Sequence, residues 1–262
     1  MDSVIVRDAA TLILIRDSIA GVEVCMLKRN IRSDFVGGAF VFPGGRVDED
    51  DIAIANSGLV RLDGKTPRLD LPERDDKVEF YVAAVRECFE EAGILIAKYM
   101  GTNKTVEFES QEIINKFQVY RNKLNSGEIT FKEFLERENL YLPIGDIAYI
   151  SHWITPVGPP KRYDTRFFVA AAPSDQVLMH DNFETVESVW IRPVDAFKLH
   201  EEGKFELIFP TIKNLEVLNM FKNSQEVLDF AINLETVPAI EPKLIEKDGQ
   251  VMLLIPGDEG YE

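Results

Sequence analysis

Residues 86–94 read Arg-Glu-Cys-Phe-Glu-Glu-Ala-Gly-Ile, and both fold and function turn on this stretch. Glu87, Glu90 and Glu91 fall within about one helical turn and project into an arc of roughly 100°. Upstream on the same wheel, Val78, Val82, Val85, Phe89 and Ala92 gather on the opposite side. The pattern predicts a helix over about 77–92 with one buried stripe and one face of carboxylates. Gly93 is placed to cap its C-terminus. Glu87 and Glu91 are like charges at i,i+4, an unfavourable pair that a divalent cation would relieve. Acidic faces are ordinarily only solvated, and 45 of the 262 residues are Asp or Glu, so the glutamates alone do not define a site. Arg86 adds to them, because a guanidinium can grip a carboxylate bidentately and fix its orientation.

Upstream lies Phe40-Val41-Phe42-Pro43-Gly44-Gly45-Arg46-Val47-Asp48. A β-rich run meets proline and two glycines, which predicts a strand ending in a turn that glycine tolerates. Glycines also admit a phosphate or metal to the backbone. Together the two stretches resemble the Nudix box, G-x5-E-x7-R-E-U-x-E-E-x-G-U with U aliphatic. Gly45 is its first glycine, and Arg86, Glu87, Glu90, Glu91, Gly93 and Ile94 supply its second half. Cys88 replaces an aliphatic residue, a mild departure because cysteine packs as a small hydrophobe. Spacing departs further: Arg86 follows Gly45 by 41 positions where the pattern has 14, an insertion of 27. Counting on from Gly45, the first glutamate of the pattern falls on Asp51. Residues 50–76 lack a sustained helical period and carry Gly58, Gly64, Pro67 and Pro72, so a loop is expected there.

A long insertion inside the box is similar to that of the coenzyme A diphosphatase subgroup. The runs Phe35-Val36-Gly37-Gly38-Ala39-Phe40, His152-Trp153-Ile154-Thr155-Pro156 and Arg162-Tyr163-Asp164-Thr165-Arg166 extend the resemblance. It implies an α+β Nudix fold, a mixed β-sheet sandwiched between helices. It also implies a pyrophosphohydrolase that uses Mg²⁺ or Mn²⁺ to split a nucleoside diphosphate linked to another moiety. Coenzyme A or an acyl derivative is the favoured substrate. ADP-ribose, dinucleotides and nucleotide sugars are alternatives within the same chemistry. A non-catalytic Nudix-fold binding module is the alternative of another class, although such modules commonly lose box glutamates that stand here.

The implied metal ligands are Glu87, Glu90 and Glu91 with a carbonyl of Gly44 or Gly45; hard oxygen donors suit these cations. Arg86, Glu90 and Glu91 are the implied catalytic group. Nudix enzymes often add a glutamate from a later loop, here Glu184 in preference to Glu187. Arg166 and Tyr163 are candidates for phosphate pairing and base stacking, against a surface arginine and a strand tyrosine. Trp153 can stack likewise or serve the core, and Arg29 and Arg46 lie close enough to the box to meet a phosphate. His152, His180 and His200 show no metal-ligand spacing.

Working outward, 45% hydrophobic residues in 262 suffice for a full core, read as one domain over 1–262 with the box insertion at about 50–76 and a helical addition at about 108–140. In the addition, Ile113, Ile114, Phe117, Tyr120 and Leu124 recur at helical spacing, and Thr130 to Glu133 matches a capping box. Packing or a homodimer surface is its expected role. Strands are expected at 9–16 and 22–28 as a hairpin, 39–42, 94–99, 147–154, 165–171 and 186–191. Helices are expected from Pro193, over 210–221 and over 224–234, with a β-like end at 250–255. A net charge of −16 argues against nucleic acid as partner but leaves room for a small phosphorylated substrate. No apolar run approaches the 18 or so residues that span a bilayer. The opening Met-Asp-Ser-Val lacks signal-peptide character, and the final Gly-Tyr-Glu is not a peroxisomal address. With only Cys25 and Cys88, a disulfide framework is not expected, and the expected location is cytoplasmic.

Overall fold

The strand β1 (Val6–Ser18) buries both its faces: Ala10, Leu12 and Leu14 join one core cluster, Ile13 and Ile15 another. Such a strand belongs in the middle of a sheet covered on both sides. The computed structural model describes residues 4–32, 36–62, 77–181, 183–247 and 250–261. From β1 the chain returns as β2 (Gly21–Arg29), with Ser18 paired to Gly21 across the expected hairpin turn. There follow β3 (Phe40–Val41), β4 (Gly44–Arg46), α1 (Glu49–Ala55), β5 (Val60–Arg61) and the glutamate helix α2 (Val78–Ala92). Then come β6 (Lys98–Tyr99), α3 (Gln111–Asn125), α4 (Phe131–Arg137), β7 (Leu140–Pro143), β8 (Ala148–Ile154), β9 (Arg162–Ala171) and β10 (Thr185–Ile191). The remainder is α5 (Pro193–Glu201), α6 (Phe209–Leu218), α7 (Ser224–Ile232), β11 (Ala239–Ile240), β12 (Lys243–Lys247) and β13 (Gln250–Leu254).

The main sheet runs β10-β2-β1-β9-β8-β11, with β3 on β2 and β4 on β1. It is mixed: β1 pairs β9 in parallel from Val6↔Arg162 to Ile15↔Ala171, while β1–β2, β8–β9 and β10–β2 are antiparallel. On one face it meets α2, backed by α3 and α4 through Phe89, Phe117, Phe131 and Phe134. On the other it meets α5, α6 and α7 through Ala196, Leu215, Leu218, Val227 and Ala231. This is the expected sheet between helices, with the helical addition packed against the outside of α2.

Three expectations need correction. The insertion is not a plain loop: Asp48 and Asp51 form a reciprocal capping box that opens α1, Ile54 buries, and Val60 pairs with Leu142 of β7. Its residues 63–76 lie outside the described residues. Residues 94–99 do not rejoin the main sheet; only Lys98 and Tyr99 pair, in a small β5-β7-β6 sheet. Gly44 and Gly45 lie not in a turn but in β4, opposite Thr11 and Ala10. On the carboxylate face of α2, Arg86 and Glu91 are buried along with the apolar stripe. The C-terminal strand β13 is present, but it pairs with β12 in a separate hairpin.

Candidate active site

α2 enters without a side-chain cap and leaves through Gly93, whose φ of 75° is left-handed and whose N–H bonds to Phe89 O at 3.1 Å. Arg86 sits at the centre of the helix's acidic side. All five of its N–H bonds are taken. Nε and Nη2 grip Asp51 Oδ1 and Oδ2 at 2.9 Å each; Nη1 donates to Glu87 Oε1 and Glu90 Oε2 at 2.9 Å each; Nη2 also reaches Arg46 O at 2.9 Å. Asp51, fully buried on α1, is the acid that the box spacing places six positions after Gly45. The 27-residue insertion therefore falls between Asp51 and Arg86 and leaves their contact intact.

The glycines are needed for closeness rather than for a special φ. A methyl group on Gly45 would collide with the Glu87 carboxylate, and one on Gly44 with Ala10 O and Thr11. Gly44 N–H donates to Glu91 Oε2 at 3.0 Å. Bare backbone at this sheet edge lets the carboxylates of α2 open onto a cleft of about 640 Å³ that continues along the other face of the sheet. Gly44, Gly45, Arg46, Arg86, Glu87 and Glu90 line its acidic end, with Arg29 and Glu184 beside them.

One guanidinium cannot neutralise this many acids. Burial raises the Glu87 carboxyl to about 7, against the pull of Arg86 and with the push of Glu90. Burial, then repulsion from Glu87, pushes Glu91 well above the usual carboxylate range, and burial raises Glu90 and Asp51 too. Among the described residues no three acidic, imidazole or thiol groups already converge on one point. Yet Glu87 Oε2, Glu90 Oε1 and Glu91 Oε1 receive no hydrogen bond from the described residues. Three hard oxygens with surplus negative charge fit a divalent cation by donor type and by electrostatics.

The other sequence candidates divide. Trp153 and Tyr163 line the cleft, Trp153 edge-on to Phe209 at 5.8 Å. Glu184 is exposed at the acidic end, 3.9 Å from Arg29, whereas Glu187 lies outside the cleft, paired with Lys28 at 3.6 Å. Arg46 is exposed there. Arg166 needs correction: it does not line the cleft. It pairs with Ala10 and His152 in register, on the α2 side of the sheet, and is held by Asp164 at 3.1 Å and Asp8 at 3.3 Å over the Phe80 ring. A strand's alternation puts neighbouring residues on opposite faces, and Thr165 and Phe167 take the cleft side.

Sequence reasoning missed Arg121 of α3. Its Nε donates to Glu90 O at 2.9 Å and its Nη2 to Glu91 O at 2.8 Å, while Asn125 Nδ2 adds 3.3 Å to Glu90 O. The signal was an arginine set between Phe117 and Leu124 on the apolar stripe of α3. A buried cation there satisfies the orphan carbonyls at the C-terminus of α2.

A sheet between helices, with an arginine-centred glutamate helix set against a glycine strand, defines the Nudix hydrolases. The model of the NUDT19 Nudix domain matches residues 74–218, and the chain belongs to that family. The acyl-coenzyme A diphosphatase NUDT19 of Xenopus laevis is 25% identical over 91% of this chain and 71% of its own length. The human protein of that name is 26% identical over 92% of this chain and 72% of its own length. A solved Nudix hydrolase from Alicyclobacillus acidocaldarius superposes with a TM-score of 0.74 at 25% identity, covering 89% of this chain and 98% of that one. The protein is a Nudix hydrolase acting on phosphoanhydride bonds.

Proposed function

We propose that this hydrolase cleaves the diphosphate of coenzyme A or acyl-coenzyme A, giving 3′,5′-ADP and the 4′-phosphopantetheine portion. The observation that carries the reading is the Asp51–Arg86 clasp, which holds Glu87 and Glu90 at the mouth of a cleft large enough for such a substrate. Two relatives that share nine-tenths of the chain are named for acyl-coenzyme A. Glu87, Glu90 and Glu91, with a Gly44 or Gly45 carbonyl, would hold Mg²⁺ or Mn²⁺. When bound, the cation would supply charge neutralisation on the diphosphate oxygens and lower the pKa of a water.

The chain's own groups do the rest. Arg86 fixes the carboxylate rotamers, and Arg29 and Arg46 pair with phosphate oxygens at the acidic end. Glu184 takes the proton of the attacking water. That water adds to one phosphorus, the bridging P–O bond breaks, and the second phosphate leaves with the electron pair. Tyr163 lies along the cleft to pack against the substrate.

Turnover of coenzyme A, octanoyl-coenzyme A, ADP-ribose and NADH with Mg²⁺ or Mn²⁺, with products weighed by mass spectrometry, tests the reading. The expected products are 3′,5′-ADP and an (acyl)phosphopantetheine, made faster than AMP from the other two. Faster cleavage of ADP-ribose or NADH would refute the substrate assignment, and no turnover of any would favour a binding module.

A further inference from the structure

The far end of the cleft is chemically unlike its acidic end, and the sheet register measures the separation. Arg46 pairs with Ala9, Ala9 with Thr165, Thr165 with Trp153, and Trp153 with Ile240, so one row of residues crosses β4, β1, β9, β8 and β11. At about 4.8 Å per strand, Trp153 stands roughly 14 Å from β4. Between them the floor is made by small side chains, Ala9 and Thr165. Apolar groups line the cleft together with Trp153: Ile154, Pro242, Leu253 and Phe209, the last edge-on to the Trp153 ring at 5.8 Å.

Two of these residues come from the C-terminal segment, outside the stretch matched by the family model. Pro242 precedes β12 and Leu253 lies on β13. The chain on either side of the hairpin is anchored. β11 pairs with β8 beside Trp153, Arg162 pairs with Glu241, and the Tyr261 hydroxyl donates to Glu241 O at 2.8 Å.

We propose that this end is a subsite for the linear, apolar end of the substrate's non-nucleotide arm, and that the C-terminal hairpin is its specificity wall. The inference rests on the diphosphatase reading above and extends it from the bond cut to the group recognised. A nucleobase is the poorer occupant. The Trp153 indole N–H is wholly enclosed and cannot read a base edge; Thr155 Oγ1 accepts from Tyr163 N–H at 3.0 Å, which leaves only its hydroxyl hydrogen and one lone pair for that purpose. A linear chain needs no such donors; it follows the narrow floor and buries its end against ring and aliphatic surface.

Two measurements test this. The ratio of kcat/KM for octanoyl-coenzyme A to that for coenzyme A should fall about tenfold in Leu253→Asp, through KM. Leu253→Ala should shift it the same way by less. Independently of catalysis, S-octanoylpantetheine, which lacks the diphosphate, should change the emission of Trp153 saturably in the wild type and in Glu91→Gln. Half-saturation should move about tenfold higher in Leu253→Asp. Trp153→Phe removes the signal and assigns it over Trp190. No saturable change in the wild type, or an unaltered midpoint in Leu253→Asp, would overturn the subsite. A saturable change without turnover of any coenzyme A substrate would strike the diphosphatase reading alone.

Discussion

Arg86 and Arg166 are both buried arginines flanked by carboxylates, and both touch the framework of α2, yet their surroundings differ in charge. Around Arg86, Asp51, Glu87 and Glu90 accept from one guanidinium, Asp48 lies 3.7 Å from it and Glu91 stands next to them; burial leaves the group short of positive charge, and Asp51, Glu87, Glu90 and Glu91 are all raised. Around Arg166, Asp8 and Asp164 are met by the arginine and by His152, which bonds to Asp164. Desolvation pushes Asp164 up, but the His152 hydrogen bond and the Arg166 charge hold it below its usual value. The second cluster is closed and structural. The first is open, and its deficit suits the cation site proposed for it. Residue type did not distinguish the two; the partners did.

The comparison can be broken most sharply by removing ligands on one side only. Glu91→Gln keeps an acceptor for Gly44 N–H but loses the charge. Its kcat should fall at least about 10³-fold, while its metal-free melting temperature should not drop. Undiminished turnover would remove the assignment. Asp164→Asn, by contrast, should lower stability and leave the metal dependence of turnover as it is.

The next effect is on stability. Arg86→Met leaves Asp51, fully buried, as an unpaired acid, and should cost about 3–5 kcal/mol in denaturant unfolding. Asp51→Asn on top of it should recover part of that loss, since the pair then disappears together.

A pH dependence follows from the raised acids. Glu87 and Glu91 have folded-state values above their unfolded ones, so the native protein binds more protons between the ordinary carboxylate range and about 7. Stability of the metal-free protein should therefore fall as pH rises through that window. Melting should be roughly 5 °C lower at pH 8 than at pH 5.5. Adding Mn²⁺ at pH 8 should restore it. A melting temperature that climbs with pH in the absence of metal would contradict the charge deficit.

The smallest effect concerns Arg121, which touches neither substrate nor cation but holds the carbonyls of Glu90 and Glu91. Arg121→Lys keeps the charge but cannot span both carbonyls with a fixed fork. It should lower kcat severalfold with KM unchanged. An equal change in both would make its role one of general packing.

Much of this was legible in the chain. The wheel of residues 78–92 gave the glutamate helix, and the glycine pair with Arg86 identified the family. The box count from Gly45 reached Asp51 but did not foresee the helix on which Asp51 lies. That helix is seven residues long and is held by a capping box and one buried isoleucine, too short for periodicity to reveal. Arg166 failed because one position of strand parity separates the cleft face from the α2 face. The β11 strand and the β12 half of the hairpin were invisible because two- and five-residue strands carry little pattern of their own. Arg121 was visible as a charged residue on an apolar stripe, but its target lay in another helix.

The central claim is that the cluster around Arg86 is a cation site. Titrating metal-free protein with Mn²⁺ near pH 7.5, followed by calorimetry, measures it directly. Wild type and Asp164→Asn should take up the ion saturably with the same affinity, and Glu87→Gln and Glu91→Gln should weaken it by at least about tenfold. Uptake that survives undiminished in both glutamine variants would contradict the account.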